Sequence, residues 1–181
     1  MPQVHFVKKA RKDQPGGIKA GDSYFWWKFR RGGKHYSKTH PRPSQLTQSE
    51  YLSTALAFQE QVENLNIDPS DPQAAADELR SVAEEIRNLG EEQEGKIDNM
   101  PESLQSSETA DLLRGRAEAC ESLADELETA ASEIDGLEEE ITVEEEEEIE
   151  DNADGDKESP DDSLVTRIED ILGGISWNFE P

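Results

Sequence analysis

The sequence predicts an α+β protein. We expect a small N-terminal β-hairpin or three-stranded sheet with a covering helix, then a mainly α-helical antiparallel hairpin or coiled coil with an acidic, partly disordered C-terminal region. Three observations predict this fold: an aromatic, basic run around Gly32-Gly33, apolar residues at spacings of three and four further on, and an almost wholly acidic stretch over residues 138–162. With only 33% hydrophobic residues, one large core is excluded. The expected parts are residues 1–66, 67–141, 142–162 and 163–181.

The charges are divided unequally along the 181 residues. Residues 1–45 contain 11 Lys and Arg against Asp13 and Asp22, whereas the remaining residues contain 7 against 41 acids, for a net charge of −25. This asymmetry indicates separate partners for the two halves, or attraction between them. The single cysteine, Cys120, excludes an internal disulfide and fits a reducing cytosol. No apolar run is long enough to span a bilayer, so we expect a cytoplasmic protein without a membrane partner.

The strongest local signal is a hairpin in SYFWWKFRRGGKHYSKT, residues 23–39. Two aromatic runs flank Gly32-Gly33, which predicts a two-residue turn with positive φ at both glycines. That turn places Phe29 opposite Tyr36 and Trp27 opposite Lys38, and residues 3–9 are a candidate third strand. Alternation then predicts a core face with Phe25, Trp27, Phe29 and Tyr36, and a working face with Trp26, Lys28, Arg30, His35, Ser37 and Thr39.

Three helices are expected after the hairpin. Thr47 and Glu50 form a capping box for a helix over 47–65, whose apolar stripe would cover the sheet. Asp71 and Pro72 open a second helix to about residue 93, residues 95–107 form a linker, and a third helix covers about 109–141 with Arg116 interrupting its apolar seam. An antiparallel hairpin buries both stripes, and the stripes also permit a homodimer through helices 73–93 and 109–141. The stripe residues are Tyr51, Ala55, Phe58, Val62 and Leu65, then Ala75, Leu79, Val82, Ile86 and Leu89, then Leu113, Cys120, Leu123, Leu127, Ala130, Ile134, Leu137 and Ile141.

The C-terminal segment regains an apolar pattern after the acidic run. Asp162 or Ser163 is the expected cap of a short helix that Gly173-Gly174 ends. An acidic tail that ends in apolar residues is typical of a linear docking motif for a host or phage protein. The alternative is that the segment packs back on the helical hairpin. The docking candidates are Ile168, Ile171, Leu172, Trp177 and Phe179.

The basic hairpin is the candidate nucleic-acid interface. Lys and Arg neutralise phosphates, aromatic planes stack on bases, and a β-ribbon can enter a major groove. The candidate residues are Trp26, Lys28, Arg30, Arg31, Lys34, His35, Tyr36 and Lys38.

The stretch GDSYFWWKFRRGGKHYSKT and the helix after it resemble the arm-type DNA-binding domains of phage integrases, over residues 21–66. The resemblance implies a three-stranded sheet beside one helix, which binds a DNA groove through Trp26, Lys28, Arg30 and the strand that ends at Thr39. No integrase catalytic domain follows, so recombinase activity is not implied. The whole chain also resembles uncharacterised proteins of phages and mobile elements, which implies a bacterial host cell as its setting.

Other chemistry finds little support. Residues 150–161 place oxygen-bearing side chains at the spacing of a calcium loop around Gly155, but Lys157 and Pro160 depart from that pattern. Neither the three histidines nor Cys120 has a catalytic partner at a recognisable spacing. We therefore expect no enzyme activity, cofactor or metal. The predicted function is a non-enzymatic nucleic-acid-binding accessory protein. The alternatives are an acidic DNA mimic that inhibits a host nucleic-acid-binding or defence protein, and a structural coiled-coil scaffold.

Overall fold

A computed structural model describes residues 1–147 and 160–179, and it confirms the predicted α+β class. Strands β1 (Val4–Val7), β2 (Tyr24–Lys28) and β3 (Lys34–Ser37) precede helices α1 (Glu50–Glu63), α2 (Pro72–Asp98), α3 (Glu108–Glu147) and α4 (Pro160–Gly173). The chain divides into two compact units, unit 1 (Met1–Ala57) and unit 2 (Phe58–Pro181), so that the boundary falls inside α1.

Unit 1 contains an antiparallel sheet in the order β1-β2-β3. β1 pairs with β2 so that His5 lies opposite Trp26, and β2 pairs with β3 so that Trp26 lies opposite Tyr36. β1 confirms the candidate strand at residues 3–9. Because side chains alternate, Trp26 shares one face of the sheet with His5 and Tyr36, and Trp27 lies on the other. Trp27 is only 4% exposed, as predicted for a core residue.

The predicted hairpin register is wrong by three residues. Trp27 lies opposite His35 rather than Lys38, and five residues, 29–33, connect the strands instead of two. Gly32 has a φ of 152°, but Gly33 lacks the positive φ that a two-residue primed turn requires. The Gln48 side chain holds this wider loop by donating from Nε2 to the Arg31 carbonyl at 2.9 Å.

The register shift changes which residues of β3 share a face with β2. Since three is an odd number, every side chain of β3 moves to the other face. His35 and Ser37 therefore lie on the side of Trp27, while Tyr36 joins Trp26. Phe29 and Arg30 lie in the loop, where the Phe29 ring meets His35 edge-on at 5.3 Å between centroids. Thr39 follows the end of β3 and bonds Ser37.

A well-bonded loop connects β1 to β2. The turn between Gln14 and Ile18 uses Gly16 and Gly17 at φ of 79° and 73°, a region that side-chain-bearing residues rarely adopt. Asp13 accepts from the Ala20 N–H at 2.8 Å, and Asp22 accepts from the Lys19 N–H at 3.0 Å. Ile18 is 1% exposed, so the loop has its own buried residue.

Helix α1 begins later than the capping box predicts. Residues Pro43–Leu46 form a 3-10 turn that leaves Thr47 extended, and the Ser49 hydroxyl accepts from the Leu52 N–H instead. Burial is confirmed for Tyr51, Ala55, Phe58 and Val62 of the predicted stripe, whereas Leu65 follows the end of α1 and is half-buried. That α1 covers the sheet stays a prediction.

In unit 2, helices α2 and α3 form the predicted antiparallel hairpin. The Asp71 side chain caps α2 by accepting from the Ala74 N–H, with Pro72 in the first turn. The antiparallel sense is shown by ion pairs that join Arg80 to Asp135 and Arg87 to Asp125. The apolar stripe of α2 and the seam of α3 from Leu113 to Leu137 are buried as predicted. Ile141 belongs to the helical backbone, but its side chain lies outside the described residues.

Small residues recur at every seventh position on the facing sides of α2 and α3. On α2 they are Ala76, Ala83 and Gly90, and on α3 they are Ala110, Ala117, Ala124 and Ala131. The five alanines Ala76, Ala83, Ala110, Ala124 and Ala131 are 0% exposed. Residues this short let two helix backbones approach closely, so the hairpin is packed through small side chains as well as through its leucine and isoleucine seam.

The C-terminal segment lies against α3. Leu164 and Ile168 of α4 are buried, and the Ser176 N–H donates to Glu126 on α3 at 2.9 Å. Among the residues that the structure describes, no helix combines the length and apolarity needed to cross a bilayer.

Candidate nucleic-acid interface

One side of the sheet, called the aromatic face, carries alternating residues of all three strands. The strand registers bring together aromatic rings from the three strands with lysines at one end of β2 and β3. Tyr24 and Tyr36 lie with ring centroids 6.1 Å apart, and the Lys28 and Lys34 side chains are exposed. The residues of the aromatic face are His5, Val7, Tyr24, Trp26, Lys28, Lys34 and Tyr36.

Trp26 stands at the centre of the aromatic face. Its ring stacks on His5 with centroids 4.2 Å apart and planes inclined by 16°. The Lys34 ammonium lies 4.4 Å from the ring centroid, at cation–π distance. His5 belongs to β1 and Lys34 to β3, which flank β2 on opposite sides, so the two contacts occupy opposite faces of the indole.

A basic groove opens beside Tyr24, where β1 leads into the loop. It encloses about 460 Å³. Backbone hydrogen bonds from the Ala10 N–H to the Asp22 carbonyl and from the Gly21 N–H to the Ala10 carbonyl hold the segment that carries its three cations. Its lining contains no acid, and consists of Val7, Lys9, Arg11, Lys12, Gln14 and Tyr24.

The two acids of the first 45 residues already have partners. Asp13 lies 3.8 Å from Lys19, and Asp22 lies 3.2 Å from Lys38. The hydrogen bond from the Lys19 N–H and that from the Lys38 ammonium lower the pKa of the Asp22 carboxyl. Within unit 1, no carboxylate lies at ion-pair distance from Lys9, Arg11, Lys12, Lys28, Arg30, Arg31 or Lys34. These cations are therefore not neutralised within unit 1.

The structure places four of the eight predicted interface residues on the aromatic face: Trp26, Lys28, Lys34 and Tyr36. Arg30 and Arg31 are exposed in the β2–β3 loop. His35 lies on the opposite face, where its ring stacks on Trp27 at 5.5 Å. Lys38 follows β3 and is paired with Asp22.

Sequence reasoning missed the other half of this surface. His5 and Tyr24 reach the aromatic face because β1 and β2 pair in the register His5 opposite Trp26. Alternation counted back from Trp26 identifies Tyr24, but no sequence signal sets the β1 register that adds His5. The groove cations Lys9, Arg11 and Lys12 come together in the β1–β2 loop, where Ala10 bonds the backbone of Gly21 and Asp22.

The predicted docking residues of the C-terminal segment are only partly accessible. Ile168 is 0% exposed in α4, whereas Ile171, Leu172, Trp177 and Phe179 are half-buried. Trp177 and Leu172 line a cleft of about 240 Å³ with Val62 and Leu65. For residues 160–179 the structure thus matches the alternative in which the segment packs back on the helices.

No candidate metal site accompanies the aromatic face among the described residues. No three His, Cys, Asp or Glu side chains in the described ranges are grouped so that they could hold a metal ion. The calcium-loop pattern at 150–161 lies outside the described residues except at its last two positions.

This chain matches no protein-family model, no curated protein and no solved structure.

Proposed function

We propose that this chain is a non-enzymatic nucleic-acid-binding accessory protein of a phage or mobile element, acting in the cytoplasm of the bacterial host. The aromatic face and the basic groove of unit 1 contact the nucleic acid, and the acidic helices or the C-terminal segment contact a host or phage protein. One observation carries the proposal. Within unit 1 the cations around the aromatic face have no acidic partner, and Asp13 and Asp22 instead pair with Lys19 and Lys38.

Positive charges without a nearby counter-charge repel one another. Lys28 and Lys34 lie opposite each other on neighbouring strands, where like charges destabilise a sheet. Phosphates relieve that repulsion and release their condensed counterions, which drives binding without sequence specificity. Tyr24, Trp26 and Tyr36 add ring surfaces between the cations, a combination typical of nucleic-acid-binding sheets.

The experiment measures the salt dependence of binding. The full chain is titrated into fluorescently labelled oligonucleotides by anisotropy between about 50 and 200 mM salt. The double variant K28Q/K34Q is expected to bind more weakly and to reduce the slope of log K against log salt by about 1.8 for a duplex or about 1.4 for a single strand, two lost phosphate contacts.

K19Q is the matched control, because it removes a cation that Asp13 already neutralises. We expect its slope to stay close to that of the unaltered chain. Absence of binding at the lowest salt, or equal losses in K19Q and K28Q/K34Q, would contradict the proposal.

A second candidate function is inhibition by mimicry of DNA charge. Helix α2 carries exposed acids that have no ion-pair partner in the part of the chain that the structure describes, and it holds them on an ordered helix. Regularly spaced carboxylates can occupy the phosphate-binding surface of a basic protein. These acids are Glu84, Glu85, Glu91, Glu92 and Glu94.

Mimicry is tested by competition. The full chain is added to a complex of DNA with a basic, non-specific DNA-binding protein, and release of DNA is compared with release by polyglutamate at equal charge. A mimic releases DNA at lower concentration than polyglutamate does, and E91Q/E92Q/E94Q loses that advantage. If the chain and polyglutamate release DNA equally well, the acids act only as general surface charge. That result would contradict mimicry.

A further inference from the structure

The two contacts of Trp26 differ in how easily they can be replaced. His5 is a ring held by its strand and stacked at 4.2 Å, whereas Lys34 is an exposed, flexible ammonium at 4.4 Å from the ring centroid. Trp26 is half-buried, and a lysine over such a ring is held more weakly than a nucleobase stacked on it. An incoming base can therefore take the place of Lys34, and the displaced ammonium stays close enough to contact a phosphate.

The aromatic face has the dimensions of a short single strand. Tyr24 and Trp26 are two residues apart on β2, or about 7 Å, and Tyr36 lies across from Trp26 on β3. Cations flank this strip at both ends, with Lys28 and Lys34 at one end and the basic groove at the other. Sheets that present aromatic side chains in this way stack about two or three unpaired bases.

A duplex cannot use these ring surfaces. Paired bases are stacked on one another, so they offer only their edges to a protein in a groove. Edge recognition needs hydrogen-bonding side chains, whereas the centre of this face consists of the Trp26 ring with Tyr24 and Tyr36 beside it. The aromatic face is therefore better matched to bases that are already unpaired.

We propose that unit 1 binds single-stranded nucleic acid, with unpaired bases stacked on Tyr24, Trp26 and Tyr36 and phosphates held by the basic groove. One base replaces Lys34 over the Trp26 ring. This inference rests on the proposed function, and it specifies the class of nucleic acid and the contact that selects it.

The experiment compares three labelled ligands with the full chain by anisotropy: a thymidine oligonucleotide of about 12 nucleotides, a duplex of equal length, and the corresponding uridine oligonucleotide. We expect both single strands to bind more tightly than the duplex. W26L is expected to bind the single strands about 5- to 150-fold more weakly, the loss of one stacked base, with an unchanged salt slope because no charge is removed.

F6L is the matched control, since Phe6 is an aromatic residue on the opposite face and is 57% exposed. It should bind as the unaltered chain does. Y24L and Y36L give the same test independently if W26L fails to fold, which circular dichroism will show. K34Q is expected to reduce the single-strand salt slope by about 0.7, one phosphate contact.

The outcomes separate this inference from the proposed function. Equal or tighter duplex binding, or single-strand affinities in the aromatic variants that equal that of F6L, would overturn single-strand stacking. The proposed function would then still be supported by the loss of binding in K28Q/K34Q. If no ligand binds the full chain at low salt, both fail.

Discussion

Gly90 on α2 lies directly against Cys120 on α3: a Cβ atom built on Gly90 would stand 3.0 Å from the Cys120 Cβ and 3.4 Å from the Ala117 carbonyl oxygen. Cys120 is itself 0% exposed, so it has little room to move away. A glycine inside a helix ordinarily costs stability, since it loses more backbone freedom than alanine. Here the glycine is required by the approach of the two helices, which repeat small residues at the same spacing.

A comparison of two Gly→Ala variants tests this close approach. Gly115 lies in α3, and among the described residues no atom outside its own turn of helix would stand within 4 Å of a Cβ atom built on it. We therefore expect G115A to raise the free energy of unfolding by about 1 kcal/mol from helix propensity alone. G90A gains the same propensity but overpacks the hairpin, and we expect a net fall of about 1 kcal/mol. Denaturant unfolding followed by helical circular dichroism measures both, and a rise in G90A equal to that in G115A would contradict the tight packing.

Arg87 of α2 pairs with three acids of α3. Arg87 lies 2.9 Å from Asp125 and 3.9 Å from Glu121, and it also bonds Glu128. R87Q leaves these three carboxylates facing one another, so we expect a lower thermal midpoint that recovers partly as salt screens the repulsion. R114Q, whose carboxylate partner Asp111 lies in its own helix, should lose less. Equal losses, or a loss that salt does not change, would refute the role of the cluster.

Glu128 is expected to contribute to the loss of folding stability as the pH is lowered. Hydrogen bonds from Arg87 lower the pKa of Glu128 below its ordinary value of 4.5. As pH falls past 4.5 the unfolded chain binds the proton before the folded chain does, so this contribution to stability is present above 4.5 and is lost as pH falls through the lowered pKa.

Replacing Glu128 removes that contribution. Between about pH 6 and pH 3, E128Q should show a shallower loss of unfolding free energy than the unaltered chain, and the two curves should converge at the acid end. E118Q is the control, because Glu118 has no ion pair among the described residues. Parallel curves for E128Q and the unaltered chain would contradict the assignment.

The fourth prediction concerns oligomeric state. Leu79, Ile86, Leu127 and Ile134 are 0% exposed within a single chain, so the helical hairpin buries both apolar stripes without a second copy. The main driving force for a homodimer through these helices is then absent. Light scattering after size-exclusion chromatography should give a mass near 20.3 kDa, and a mass of about twice that value would show that another surface joins two copies.

The helical part of the fold was largely predictable from sequence. Spacings of three and four identify Leu79, Ile86, Leu123 and Leu127 as buried, because a helix that packs on one side must repeat with that period. The cap at Asp71 follows from its position before Pro72. The heptad of small residues was overlooked because alanine carries a weak apolar signal.

The candidate interface was predictable only in part. Trp26, Lys28, Lys34 and Tyr36 follow from local composition, but their common face depends on a hairpin register that Gly32-Gly33 suggested wrongly. The true loop is held by Gln48, a residue well outside the hairpin. Long-range contacts of this kind also set the position of the groove cations, and no local pattern predicts them.

The most direct test of nucleic-acid binding by unit 1 is a map of amide and indole NMR signals of the full chain during titration with the thymidine oligonucleotide. We predict that the shifted signals come from β1, β2, β3 and the β1–β2 loop, with the Trp26 indole among them and the Trp177 indole unchanged. Shifts confined to α2 and α3, or no shifts under low-salt conditions, would contradict the account.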